Sequence, residues 1–204
     1  MSYESVLESL KNHKLVTFCV VSKGREATEI LPLLEQGHAH FAENRPQEME
    51  KKWAELKSLY PKAILHFIGH LQTNKVEQVL KLADVIHSLD RKNLALSLKK
   101  SALKLSKTPS ILIQVNLGKE EQKSGVYPKD LKDLLTYCQS IDLKIDGLMC
   151  IPPKDAEQTP YFKELKSLCK DYGLKVCSQG MSTDYLKAIE CGSTLIRVGR
   201  KCFE

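Results

Sequence analysis

Short apolar, β-branched runs alternate with longer segments of helical spacing along the whole chain. The first run, residues 16–21, ends abruptly in Ser-Lys-Gly, which is typical of a buried strand followed by a turn. Seven similar runs follow, and each run except the last is succeeded by a helical segment. We therefore predict eight strands, at residues 16–22, 38–43, 64–68, 85–89, 110–115, 144–151, 175–178 and 194–198.

This alternation predicts an α/β protein with parallel strands joined by right-handed crossovers. Eight strand–helix units are the number that closes a (β/α)8 barrel, also called a TIM barrel. With 204 residues the chain is near the lower length limit of such barrels, so we expect one barrel domain over residues 1–204. An open, doubly wound sheet has the same alternation, and the strand count alone does not exclude it.

Composition and charge exclude several classes of function. The net charge of +6 comes mostly from lysines scattered along helical segments, without the interleaved aromatic residues of a nucleic-acid-binding module. No apolar run is long enough to cross a membrane and the N-terminus lacks a signal-peptide layout, so we expect a cytoplasmic protein without membrane contact.

The cysteines and histidines do not suggest a metal site. The seven cysteines are odd in number and include no CxxC pair, which argues against disulfides and thiolate ligation. His66 and His70 lie four residues apart, but they straddle a predicted strand end instead of sharing a helix face. We therefore expect no bound metal.

Lys23 is the first candidate for chemistry. Because side chains alternate along a strand, Lys23 shares a face with Cys19 and Val21 and would stand at the rim of an apolar core. Burial there would lower the pKa of its amine and produce a nucleophile suited to forming a Schiff base. The alternative is a lysine that ends a strand and extends into water.

Small residues follow the last two predicted strands. Gly180, Ser182 and Gly199 would bring free backbone N–H groups to the place where barrels often bind phosphate, next to a helix predicted to begin near Thr183. The alternative is an ordinary turn in which Ser182 caps that helix.

Arg197 is an unexpected residue in the eighth strand. Its neighbours Ile196 and Val198 would face the outer helices, so Arg197 would face the barrel interior. A guanidinium there needs a partner, which we expect to be Glu43, Asp146 or a ligand atom.

An ordered set of motifs runs from the first strand to the end of the chain. They are Val-Val-Ser-Lys at 20–23, Phe-Ala-Glu-Asn at 41–44, His-Phe-Ile-Gly-His-Leu-Gln-Thr-Asn-Lys at 66–75, Lys-Ser-Gly at 123–125, Gly-Leu-Met at 147–149, Gly-Met-Ser at 180–182 and Arg-Val-Gly at 197–199. In this order the motifs resemble the YggS/PROSC family of pyridoxal 5′-phosphate (PLP) homeostasis proteins.

The resemblance implies a barrel similar to the N-terminal domain of alanine racemase. It implies that Lys23 holds PLP as a Schiff base, that Arg197 faces the pyridine nitrogen and that Asn44 lies near the ring. It also implies a group of residues around the phosphate, namely Ser178, Ser182, Gly199 and Arg200.

Two functions remain open. The first is a monomeric carrier or reservoir that holds PLP reversibly for intracellular vitamin B6 homeostasis and supplies PLP-dependent apoenzymes, with no catalytic residues. The second is a PLP-dependent amino-acid racemase or lyase of low activity. A racemase needs a second base opposite Lys23, and a cation at Arg197 would weaken the ring as an electron sink, so we favour the carrier. An aldolase acting through Lys23 would leave Arg197 unexplained.

Overall fold

Each apolar run forms a strand in the computed structural model, which describes residues 2–203, and the eight strands close into one parallel barrel. Every strand pairs with the next in the chain, and the last pairs with the first, with Thr17 opposite Leu195. This closure confirms the (β/α)8 prediction and excludes the open sheet. The strands, β1 to β8, are Thr17–Val21, His40–Glu43, Ile64–Phe67, Val85–Leu89, Ser110–Gln114, Gly147–Met149, Val176–Ser178 and Leu195–Val198.

One helix precedes the barrel and seven others connect or follow its strands within the described residues. Across residues 2–203, no helix combines the length and apolar character needed to cross a membrane. The α-helices, α1 to α8, are Tyr3–Ser9, Ala27–Glu35, Pro46–Leu59, Val76–Leu82, Lys92–Lys104, Leu131–Ser140, Thr159–Asp171 and Tyr185–Glu190.

The two faces of the strands belong to two apolar layers. Val20 and Val198 point outward into the large core between strands and helices, whereas Cys19 and Leu195 pack in a small cluster inside the barrel. Arg197 is buried, only 3% exposed, between the outward-facing Ile196 and Val198. The inward direction predicted for Arg197 is therefore confirmed, and its side chain rises toward the carboxyl end of the barrel.

Candidate functional site

A pocket of about 330 Å³ opens at the carboxyl ends of the strands. Its size falls in the range of roughly 300–1,000 Å³ that is usual for small-molecule sites. Ser178 is the one predicted site residue that does not line it. The predicted residues that do are Lys23, Asn44, Ser182, Arg197, Gly199 and Arg200.

Lys23 lies on the turn after β1 and its side chain is exposed. The expectation of a buried ammonium is therefore wrong, because the strand ends two residues earlier and the turn carries Lys23 above the apolar layer. Within residues 2–203 its amine makes no hydrogen bond or ion pair, and it lines the pocket. The amine is thus free to react with a ligand that enters.

The backbone on both sides of Lys23 is held firmly. Lys52 Nζ donates to the carbonyl of Ser22 at 2.8 Å, and the Ser22 hydroxyl donates to Glu43 Oε1 at 2.7 Å. The N–H of Gly24 donates to Glu48, which also pairs with Lys52 at 2.9 Å. A buried ion pair between Lys52 and Glu43, 2.7 Å apart, anchors this arrangement. An exposed side chain without a protein partner among the described residues therefore stands on a well-held turn.

Sequence reasoning missed Lys52, although a signal was present. Lys52 lies on the same face of α3 as Met49, Trp53 and Leu56, all of which are buried. A lysine at a core-facing helical position needs a buried anion, and here Glu43 supplies it.

Arg197 has neither of the carboxylate partners that we considered, Glu43 and Asp146, so that part of the expectation is wrong, while a ligand atom as partner stays a prediction. Its Nη1 donates to the Ser178 hydroxyl at 2.6 Å and its Nη2 donates to the carbonyl of Cys150 at 2.9 Å. Glu43 is bound to Lys52 instead, and Asp146 pairs with Lys144 outside the barrel interior. Burial lowers the pKa of Arg197, but a guanidinium remains charged in proteins. Among the described residues, then, no carboxylate forms an ion pair with this buried cation, and Asp184 acts on it only from beyond ion-pair distance.

Ser178 lies one layer below the pocket. It is fully buried, and besides Arg197 its hydroxyl contacts His87 Nδ1 at 3.1 Å. This geometry gives it contact with Arg197, while direct contact with a ligand phosphate stays a prediction.

A hydrogen bond between Ser182 and Gly199 links the loop after β7 to the loop after β8. The N–H of Gly199 donates to the Ser182 hydroxyl oxygen at 3.3 Å, which leaves the hydroxyl hydrogen without an acceptor in the part of the chain described. Gly180, just before this loop, has a φ of +93°, and a Cβ there would lie 2.6 Å from the Cβ of Ala188. Only glycine permits this close approach of loop and helix.

Helix α8 begins at Tyr185, two residues later than predicted. The delay arises because the carboxylate of Asp184 accepts from the N–H of Met181 at 2.5 Å and forms a separate turn. Burial raises the pKa of this Asp184 carboxyl. The N–H groups of Ser182 and Thr183 have no hydrogen-bond partner within residues 2–203. They are donors available to an anion at the pocket wall.

The rest of the pocket wall combines one amide with apolar side chains. Asn44 follows β2 and is half-buried, and Gly69 packs so tightly against it that a Cβ would lie 2.0 Å from the Asn44 carbonyl oxygen. Apolar residues at strand ends look like core residues in a sequence, so most of this wall was not recognisable beforehand. Its members are Val21, Ile68, Met149, Ile151 and Met181.

The pocket therefore offers three kinds of contact to one ligand. A free amine can attack a carbonyl, a buried guanidinium can donate to an acceptor atom, and unpaired N–H and O–H groups can bind an anion. The apolar wall suits a flat ring between them. Arg200, exposed at the mouth, adds positive charge. Within the described residues, no group of three or more histidine, cysteine or acidic side chains could hold a metal ion.

Comparison with known proteins shows which family the chain is similar to. The family profile described as "Alanine racemase, N-terminal domain" matches residues 7–203. A protein of Aquifex aeolicus named "Pyridoxal phosphate homeostasis protein" is 43% identical over 173 residues, which cover 80% of this chain and 75% of the relative.

Solved structures of PipY from Synechococcus elongatus are also similar. They are 33% identical to this chain, and the aligned region covers 98% of this chain and 99% of the PipY chain. The TM-score is 0.91 for the structure without PLP and 0.88 for the structure with PLP bound.

Proposed function

This chain belongs to the YggS/PROSC family of pyridoxal phosphate homeostasis proteins, and we propose that it holds PLP on Lys23 as a reversible carrier or reservoir. One observation carries the proposal: Lys23, Arg197 and the unpaired donors of Ser182 line the same pocket. These three groups match the aldehyde, the ring nitrogen and the phosphate of a single PLP molecule.

The residues present fit the cofactor group by group. The Lys23 amine has no competing partner in residues 2–203 and can bond to the aldehyde carbon. Arg197 can only donate hydrogen bonds, so it suits an unprotonated ring nitrogen. The N–H groups of Ser182 and Thr183 suit the phosphate oxygens. Gly199 and Arg200 complete the proposed phosphate side, and Asn44 stands on the ring side.

Arg197 also bears on what the bound cofactor can do. PLP supplies an aldehyde that binds amines and a ring that accepts electrons best when its nitrogen is protonated. A fixed cation beside that nitrogen disfavours its protonation. Lys23 can therefore exchange with incoming amines while the protein gives little help to chemistry at their Cα atoms.

The pocket wall supports a carrier over a racemase or lyase. Among the described lining residues, no histidine, tyrosine, cysteine or carboxylate stands as a second base. Stereoinversion needs such a base on the face of the ring away from Lys23. We therefore propose no catalytic residues, and we retain a cytoplasmic monomer that supplies PLP-dependent apoenzymes.

The loaded protein is expected to reactivate an apoenzyme but not to racemise amino acids. Mixed with an L-amino acid in deuterated water, it should give little Cα exchange by proton NMR and no D-isomer by chiral chromatography. Mixed with an apo PLP enzyme, it should restore that enzyme's activity. Cα exchange at enzyme-like rates with formation of the D-isomer would contradict the carrier proposal and favour the racemase.

Ser182→Ala should weaken binding of PLP roughly ten- to a hundredfold, which corresponds to about 1.5–3 kcal/mol for a hydroxyl bond to a charged group. The reason is that the Ser182 oxygen already accepts from Gly199, so its hydrogen is free for the phosphate. Affinity can be measured by fluorescence titration. Pyridoxal, which lacks the phosphate, is the control: its affinity should not change in the variant. An equal loss for both ligands would place the phosphate elsewhere.

A further inference from the structure

A continuous row of hydrogen-bonding side chains crosses the barrel beneath the pocket. Arg197 contacts Ser178 at 2.6 Å, Ser178 contacts His87 Nδ1 at 3.1 Å, and His87 Nε2 contacts His66 Nδ1 at 2.8 Å. His66 Nε2 in turn contacts His40 Nδ1 at 3.0 Å. The three histidines come from β2, β3 and β4, and His40 is the first residue of its strand. We call His87, His66 and His40 the histidine row; it ends at the rim opposite the pocket.

Arg197 favours one direction for every bond in the row. A guanidinium only donates, so the Ser178 oxygen accepts from it, and the serine's own hydrogen is left for His87 Nδ1. A neutral imidazole carries one hydrogen, so His87 donates from Nε2 to His66 Nδ1. His66 then donates from Nε2 to His40 Nδ1. Each of the three histidines is thereby assigned the Nε2–H tautomer.

The reverse order is possible but leaves a group unsatisfied. If every histidine carried its hydrogen on Nδ1, the Ser178 oxygen would accept from both Arg197 and His87. Its own hydrogen would then have no acceptor in a site that is fully buried, within the residues that the structure describes. An unmet buried hydroxyl favours the first order by roughly tenfold or more.

The three histidines of the row are neutral. Burial, reinforced by nearby His40 and Arg197, lowers the pKa of His66 to about 3, and burial places the pKa of His87 well below its usual value. Burial also lowers the pKa of His40, which is half-buried. A charged imidazole would carry hydrogens on both nitrogens and would break the row where it faces another donor.

We propose that the histidine row is a positioning relay for Arg197: it orients the Ser178 hydroxyl, which holds the guanidinium at the angle from which it meets the ligand. The relay deepens the proposed function, since the ligand atom concerned is the ring nitrogen of PLP. His87, His66 and His40 touch no ligand themselves. Their effect on binding passes through Ser178, which explains why a residue outside the pocket lining belongs to the site.

The first test reads the tautomers directly in the protein without cofactor. Long-range ¹H–¹⁵N NMR of histidine-labelled protein should show protonated Nε2 and unprotonated Nδ1 at positions 40, 66 and 87. Ser178→Ala removes the fixed donor, so His87 and His66 should become mixtures of tautomers. An Nδ1–H tautomer at His87 in the wild-type protein would overturn the relay, and this result would not depend on whether PLP binds.

The second test measures PLP affinity in variants of the central histidine. His66→Phe interrupts the row and should weaken PLP binding about tenfold, because the hydroxyl that holds Arg197 loses its order. His66→Gln keeps a donor and an acceptor and should restore most of the affinity. His13→Gln, at an exposed histidine that precedes β1 and lies outside the row, is the control and should leave affinity unchanged. Equal PLP affinity in the phenylalanine and glutamine variants would overturn the relay. If the wild-type protein did not bind PLP at all, the proposed function would be refuted instead, and the tautomer measurement would still decide whether the relay exists.

Discussion

Lys23→Ala is expected to abolish covalent attachment of PLP while the barrel stays folded. Lys23 is the one lysine that lines the pocket among the described residues, and its amine has no other partner there. The visible absorption band of protein-bound PLP should be lost, and borohydride should fix no cofactor to the variant. Since the side chain is exposed, the free energy of unfolding should change by no more than about 0.5 kcal/mol.

Two other lysines of the family motifs provide the controls. Lys75→Ala and Lys123→Ala should keep the absorption band, because neither residue lines the pocket. In the wild-type protein, mass spectrometry after borohydride reduction should locate the cofactor on the peptide that contains Lys23. An adduct on Lys75 or Lys123 would show that the assignment of Lys23 is wrong.

The barrel was predictable because its signal is local. Each strand is a short apolar run, and alternation within the eighth strand was enough to turn Arg197 inward. The count of eight strand–helix units then agreed with closure, which the pairing of β1 with β8 confirms. The position of the pocket at the strand ends follows from the same topology.

The partners inside the site were not predictable, because they depend on which backbone and side-chain atoms meet across strands. Arg197 is bound by the hydroxyl of Ser178 on β7 and by the backbone carbonyl of Cys150, directly after β6. Neither partner is a charged side chain, so the sequence did not indicate them. His66 was compared with His70, its neighbour in sequence, yet its contacts in space are His40 and His87 on adjacent strands.

The carboxylate of Glu43 shows how the barrel and the site depend on each other. It is fully buried, and its Oε1 accepts from Ser22 and from Trp53 Nε1 at 3.1 Å and forms an ion pair with Lys52. Its Oε2 has no partner within residues 2–203, so Lys52 supplies the cation that permits a charge in this position. The same ammonium holds the carbonyl of Ser22, directly before Lys23.

Lys52→Met should therefore destabilise the protein by about 3–5 kcal/mol, the usual result of leaving a buried charge without its partner. Methionine retains the apolar length of the side chain, so the loss reports the ammonium rather than packing. Urea unfolding followed by circular dichroism measures the change. Lys51→Met, the adjacent exposed lysine of α3, is the matched control and should shift stability by no more than about 0.5 kcal/mol.

The double variant Glu43→Gln/Lys52→Met separates the charge from the scaffold. Removing both charges should recover much of the lost stability, because no unpaired carboxylate then remains in the core. The bond to the Ser22 carbonyl stays absent, so the turn that carries Lys23 should remain loosened and attachment of PLP should stay slower than in wild type. If Lys52→Met were no more destabilising than Lys51→Met, the buried pair would not be what anchors the lysine turn.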